Sequence, residues 1–177
     1  MNVVTRAALP GDAAAIAEVY SPYVTDSVAS FEALPPPAEV IGTRMTTGMP
    51  WYVAETPEGV LGYAYSSAHR DRTAYRWSVD VSVYLAADAR RQGIGRLLYT
   101  RLLAVLTELG HVRAHAGIAL PNDASVALHE SMGFVQVARY PQVGWKHGAW
   151  RDVGWWSRPL APASVPPVEP RRWDGLA

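Results

Sequence analysis

The chain contains no cysteine. Disulfides, thiolate metal sites and cysteine nucleophiles are therefore excluded, and the cytoplasm is the expected location. Lysine is nearly absent too: Lys146 is the only one, so positive charge is almost all arginine. Net charge is missing as well, because 16 basic residues balance 16 acidic ones. A neutral balance gives no electrostatic reason to expect nucleic acid or a membrane surface as a partner. No apolar run is long enough to span a bilayer. The opening stretch "MNVVTRAALPGDAAAIAEVY" has no basic region followed by an apolar core, so no signal peptide is expected.

What remains is 177 residues, 49% of them hydrophobic, which suits one soluble domain with a sizeable core. Asn2–Leu9 reads as a strand and "AAAIAEVYSPYV" as a helix behind an Asp12 cap. "PPAEVIGTRMTTG" starts a second helix, and "WYVAET" with "GVLGYAYSSAHR" makes a hairpin. Tyr75–Leu85 alternates like a strand. From about Gly95, Leu98, Leu102, Val105, Leu106 and Leu109 recur at helical spacing, with Gly110 as the stop. "HVRAHAGI" is a strand, "PNDASVALHESMGF" a short helix, and two strands follow. The order predicts an α/β domain with a mixed, mostly antiparallel sheet, and a parallel crossover between Tyr75 and Ile118. Residues 1–160 read as the domain, and the proline-rich residues 161–177 as an extended or partly ordered tail.

The informative segment is "ARRQGIGRLL", where a strand gives way to a basic glycine turn and a long helix. A helix N-terminus leaves amides unpaired and carries partial positive charge. Glycines admit an anion to the backbone, and arginines add full charge. The turn is thus either a pyrophosphate cradle or a plain strand-to-helix joint. It has no Gly-Lys-Ser/Thr, which excludes a P-loop, and no third glycine, so a dinucleotide fold is weakly supported.

With Arg90, Gly93 and Gly95 at fixed positions, this turn resembles the acyl-CoA-binding motif of the GNAT N-acetyltransferases. "GIALPNDASVALHESMGF" resembles the second cofactor segment of that superfamily. "AYRWSVDVSVYL" and "GWKHGAWRDVGWW" narrow the likeness to the phosphinothricin and methionine sulfoximine N-acetyltransferase family, over roughly residues 3–160. The resemblance implies a GNAT fold and transfer of an acetyl group from acetyl-CoA to a primary amine, without a metal and within a homodimer. It assigns the cofactor to the strand Val83-Tyr84-Leu85, the turn Arg90, Arg91, Gln92, Gly93, Ile94, Gly95 and Arg96, and Asn122 with Ser125. Asn122 can equally cap its helix.

Chemistry of this kind needs an oriented carbonyl and an amine freed of its proton. Where the resemblance implies a glutamate base, this chain has Asp80, one methylene shorter. Asp80 is either the base, acting through a bridging water, or a solvated strand carboxylate. His129 matches a family histidine that assists proton transfer, and is alternatively a packed core residue. Tyr84 and Tyr99 are by default packing aromatics. For an amino-acid acceptor, Phe31, Glu32, Arg72, Tyr75, Arg76, Trp77 and Lys146 are the candidate contacts, the cations for its anionic groups. The alternatives are another amine or a peptide N-terminus as acceptor, or an acyl-CoA sensor without turnover.

Overall fold

The computed structural model describes residues 2–175. Seven strands form one sheet: β1 (Val4–Ala7), β2 (Trp51–Thr56), β3 (Gly59–Ala68), β4 (Ser78–Leu85), β5 (Arg113–Ala119), β6 (Val135–Lys146) and β7 (Ala149–Pro159). Their spatial order is β1-β2-β3-β4-β5-β7-β6. Every neighbouring pair is antiparallel except β4 and β5. The helices are α1 (Ala13–Thr25), α2 (Ala38–Met45), α3 (Ile94–Glu108) and α4 (Asp123–Ser131). The expected mixed sheet and its single parallel crossover, made by α3, are both present.

The central strands of the sheet are covered on both faces. Against one face α3 lays Leu98, Leu102 and Leu106, all fully buried, beside Val79 and Val81 of β4. Against the other, α1 and α2 pack Ile16, Val24 and Ile41 on Val53 and Tyr63. Side chains alternate along a strand. In β4, therefore, Val79, Val81, Val83 and Leu85 serve the α3 face, while Tyr84 packs on the α1/α2 face. Asp80 and Ser82 share the face of Tyr84 by the same alternation.

Two expectations shift. The strand read from Tyr75 begins at Ser78, because Thr73–Tyr75 form a single 3-10 turn. The tail has no regular structure yet is tied down. The Trp77 indole N–H donates to the Val168 carbonyl at 2.6 Å, and Trp173 packs 6.0 Å from Tyr52. The backbone amides of Arg171 and Trp173 donate to Leu109 and Gly48. No helix among the described residues is long and apolar enough to cross a membrane.

Candidate functional site

The β4–β5 ladder is short. It pairs Ser78, Val79 and Asp80 with Arg113, Ala114 and His115, and stops there. Past that point the strands diverge, and a groove of about 920 Å³ opens between them. Its walls are Val81–Leu85 of β4 and Ala116–Ala119 of β5. Arg90, Arg91 and Gly93–Arg96 border it on one side, and Asn122, Ser125 and His129 on another.

The diverging edge carries usable backbone groups. The Ala86 amide donates to Leu61 on β3 at 2.8 Å. The Leu85 amide instead donates to the Tyr23 hydroxyl at 3.1 Å, and that hydroxyl donates to the Leu85 carbonyl at 2.6 Å. Successive amides point to opposite edges of a strand, so the Val83 amide, two residues back, faces the groove. Leu85 was expected to hold the cofactor through its backbone; here Tyr23 engages it. Tyr84 is held by packing, edge-on to Tyr20 and Tyr23 at 4.8 and 4.9 Å.

At the start of α3 the two glycines do different work. Gly93 takes the left-handed conformation at φ +79°, and a Cβ there would meet nothing within 4 Å, so the requirement is conformational. Gly95 lies inside the helix, where a Cβ would come within 3.0 Å of Leu128. It allows α4 to pack close. Arg91 is also left-handed, at φ 62°, a conformation that costs a non-glycine residue of order 1 kcal/mol. No side chain caps the helix, and its first bond runs from the Leu97 amide to the Gly93 carbonyl. The amides of Ile94, Gly95 and Arg96 precede that bond and are left for an anion. The Arg90 guanidinium sits 5.1 Å over the Tyr23 ring. Ile94 is buried in the core, and Gln92 turns back to donate to the Asp88 carbonyl at 2.6 Å.

Across the groove, the Asn122 carbonyl oxygen caps α4 by accepting the Ser125 amide at 3.2 Å. Its NH₂ group makes no protein hydrogen bond among the described residues, so capping and cofactor contact are compatible. His129 Nδ1 donates to the Ser125 carbonyl at 2.7 Å, and this fixes Nε2 as the acceptor of the buried Tyr99 hydroxyl at 2.8 Å. Burial holds the ring below the usual histidine range, and so neutral. With both nitrogens engaged, His129 has no lone pair for an amine in this arrangement.

The other face of the sheet holds a cluster that the sequence did not announce. His69, just past the end of β3, donates Nδ1–H to Asp80 Oδ1 at 2.6 Å. His115, the register partner of Asp80 on β5, stacks on His69 with centroids 4.3 Å apart and planes 19° apart. Trp155 and Tyr75 stand edge-on to His69 at 5.8 and 5.9 Å. Burial pushes the Asp80 carboxyl up, and the His69 hydrogen bond pulls it back. Burial pushes His115 down to about 4, helped by His69, Arg113 and Arg70. Stacked imidazoles direct their lone pairs along two parallel planes rather than to one point, which does not suit a shared metal ion.

The remaining acceptor candidates separate. The Glu32 carboxylate accepts from Arg44 at 2.7 Å and Tyr20 at 3.2 Å, while Lys146 Nζ donates to the Glu32 backbone carbonyl at 2.7 Å. Phe31 lies on Gly144 of β6, where a Cβ would collide with its ring. These contacts clamp the 27–32 loop between α2 and the β6–β7 hairpin, so Lys146 acts first as a loop tie. Arg72 is exposed, with no side-chain partner among the described residues. Arg76 and Trp77, expected at the acceptor, lie against the tail instead: Arg76 pairs with Glu169 and stacks 3.9 Å over Trp77. Sequence reading missed His69 and His115 because nothing local marks them. Only strand register places them beside Asp80.

A sheet that splays at its one parallel pair, over an uncapped helix behind a left-handed basic turn, defines a class of acyl-transfer proteins that hold an extended, diphosphate-bearing acyl carrier between two strands. The chain belongs to the acetyltransferase (GNAT) family, whose pattern it matches over residues 16–134. A phosphinothricin N-acetyltransferase of Streptomyces viridochromogenes is 38% identical to it, over 93% of this chain and 92% of the relative. An L-methionine sulfoximine/L-methionine sulfone acetyltransferase of Salmonella typhimurium is 38% identical over 62% of this chain and 64% of its own. The crystal structure of a phosphinothricin acetyltransferase from Sinorhizobium meliloti in complex with acetyl-CoA superposes with a TM-score of 0.88. The two are 37% identical, over 96% of this chain and 94% of that one.

Proposed function

We propose that the protein transfers the acetyl group of acetyl-CoA to the primary amine of a small amino-acid-like acceptor, of the phosphinothricin or methionine sulfoximine type. The observation that carries this reading is the opening of the sheet. The groove, with the Val83 amide and the free α3 amides, begins at the residue after Asp80, so cofactor cleft and acceptor face meet at one point. The residues fit the cofactor. The amides of Ile94, Gly95 and Arg96 with Arg90 and Arg91 suit a diphosphate, and the Val83 amide and the Asn122 NH₂ suit the amide-bearing arm. Bound acetyl-CoA supplies the thioester carbonyl, and the Val83 amide is placed to stabilise charge on its oxygen. Asp80 marks the acceptor side. Phe31 and Trp155 provide apolar walls, and Arg72 provides a cation for the acceptor's carboxylate. No covalent enzyme intermediate is required.

The names of the relatives support the acceptor class. A homodimer is also part of this reading. The exposed apolar residues Val135, Val137, Tyr140, Val143, Trp145 and Trp150 all lie on β6 and β7, at the open edge of the sheet, a concentration that suits a partner surface. The site of action is the cytoplasm, and neither metal nor nucleic acid takes part. The test is thiol release from acetyl-CoA with a panel of phosphinothricin, methionine sulfoximine, ordinary amino acids and short peptides. Amine-dependent release with the first two is expected. Release only with peptides, or binding of acetyl-CoA without release, overturns the reading.

A further inference from the structure

We propose that His69, not Asp80, takes the proton from the acceptor's ammonium group, and that Asp80 is the positioning residue that holds His69 for this purpose. The proposal rests on the acetyl-transfer reading and names the base within it.

Three observations converge on His69. First, the Asp80 carboxylate is already engaged: Oδ1 accepts the His69 Nδ1–H at 2.6 Å. That bond fixes the tautomer, leaving the Nε2 lone pair free, and Nε2 makes no hydrogen bond to another described residue. Second, both side chains stay reachable, at 15% exposure for His69 and 26% for Asp80. Third, the pair lies at the apex of the splay, since Asp80 and His115 are the last residues of the parallel ladder. His129 has both nitrogens in use, His111 is buried in the interior, and His115 has no carboxylate partner among the described residues and is held down to about 4. His69 is the imidazole that combines an unengaged Nε2 with a carboxylate partner.

The surroundings suit the role. From β4, Asp80 supplies the negative charge that stabilises an imidazolium. From β5 comes the stacked His115, which burial keeps neutral near pH 7, with Arg113 behind it. Tyr75 from the preceding turn and Trp155 from β7 meet the ring edge-on. Arg70 donates to the His69 carbonyl at 2.6 Å and lies 5.4 Å over Trp155.

The bookkeeping of the step closes. The acceptor ammonium gives one proton to His69 Nε2. The freed nitrogen pair bonds to the thioester carbon while the carbonyl pair moves to oxygen. On collapse the carbon–sulfur bond breaks, and the sulfur leaves with its pair and takes the second proton of the nitrogen. The imidazolium then releases its proton to water, so one proton appears in solution for each amide formed.

The experiment is the pH profile of kcat/KM, between pH 5.5 and 10, for the full chain and the variants His69→Gln, Asp80→Asn and the double variant, with acetyl-CoA affinity measured by calorimetry. His69→Gln is expected to lower kcat/KM at pH 7 by about 100-fold or more, through kcat rather than KM. Its rate should then climb about tenfold per pH unit towards the pKa of the free amine, while acetyl-CoA affinity stays unchanged. Asp80→Asn is expected to lose about tenfold alone and almost nothing more in the His69→Gln background. If His69→Gln binds acetyl-CoA poorly, His69→Gly with added imidazole replaces it, and restored turnover supports the proposal. A wild-type rate and profile in His69→Gln, losses that multiply in the double variant, or no rescue by imidazole overturns it. Unmodified protein that binds acetyl-CoA but acetylates nothing on the panel overturns the functional reading instead.

Discussion

At the scale of single residues, Tyr99 and His129 show how burial assigns a role. The Tyr99 hydroxyl and the His129 ring satisfy each other inside the core, 2.8 Å apart. Tyr99→Phe strands the acceptor nitrogen, a loss of about 1–3 kcal/mol. A lower melting temperature with largely retained turnover per folded molecule is expected, from calorimetry beside the thiol-release assay. Loss of turnover without loss of stability would place the pair in the chemistry. Arg91 illustrates the reverse, a strained backbone with a free charge. Arg91→Gly removes a left-handed penalty of about 1 kcal/mol together with one cation of the anion site. Acetyl-CoA affinity is expected to fall about tenfold, as for one lost charge-assisted contact, with no fall in melting temperature. Equal losses of both would mean that the side chain packs rather than binds. At this scale the glycine turn at Gly93 and the Asn122 cap were legible, because their signals are local to a turn or a cap. His69 was not, since its meaning comes from a carboxylate eleven residues away on the next strand.

At the scale of elements, α3 is the part most fully written in the sequence. Its apolar residues repeat at helical spacing, and Leu98, Leu102 and Leu106 are fully buried where α3 packs on β2, β3 and β4. Leu102→Ala should cost about 2–5 kcal/mol, read as a shift in the denaturant midpoint at unchanged slope. A cost below 1 kcal/mol would mean that the helix does not anchor the sheet. β4 was legible in its alternation but not in its start. Tyr75, Arg76 and Trp77 have strand-like side chains, yet a 3-10 turn and the tail claim them. Local pattern cannot register a competitor 91 residues distant.

At the scale of the whole molecule, two buried histidines and one half-buried one set the response to acid. Desolvation holds His111, His115 and His129 below the usual histidine value. The unfolded chain therefore binds more protons as pH falls below about 6.5. Stability conferred by keeping these rings neutral is present above that pH and is lost as pH falls through their folded values, about 4 for His115. The melting temperature is expected to drop by several degrees between pH 7 and pH 5, well before the carboxylates titrate. A flat melting temperature across that window would show the rings to be solvated. Assembly belongs to this scale too. In the proposed homodimer, Trp145→Glu with Trp150→Glu, both on the exposed β6–β7 surface, should bring the mass in sedimentation down to that of a monomer. An unchanged mass would remove that surface from the interface.

The amino-acid order by itself determined the succession of elements, the apolar face of α3, the basic left-handed turn and the capped start of α4. Each depends on side chains within a few residues of one another, where helical or strand periodicity and backbone sterics act directly. Only the tertiary structure decided that β4 and β5 part after Asp80, that Tyr23 engages Leu85, that the tail takes up Arg76 and Trp77, and that two histidines meet one aspartate. Those outcomes depend on register between strands far apart in the chain. Register follows from the simultaneous packing of both sheet faces, which no local stretch encodes.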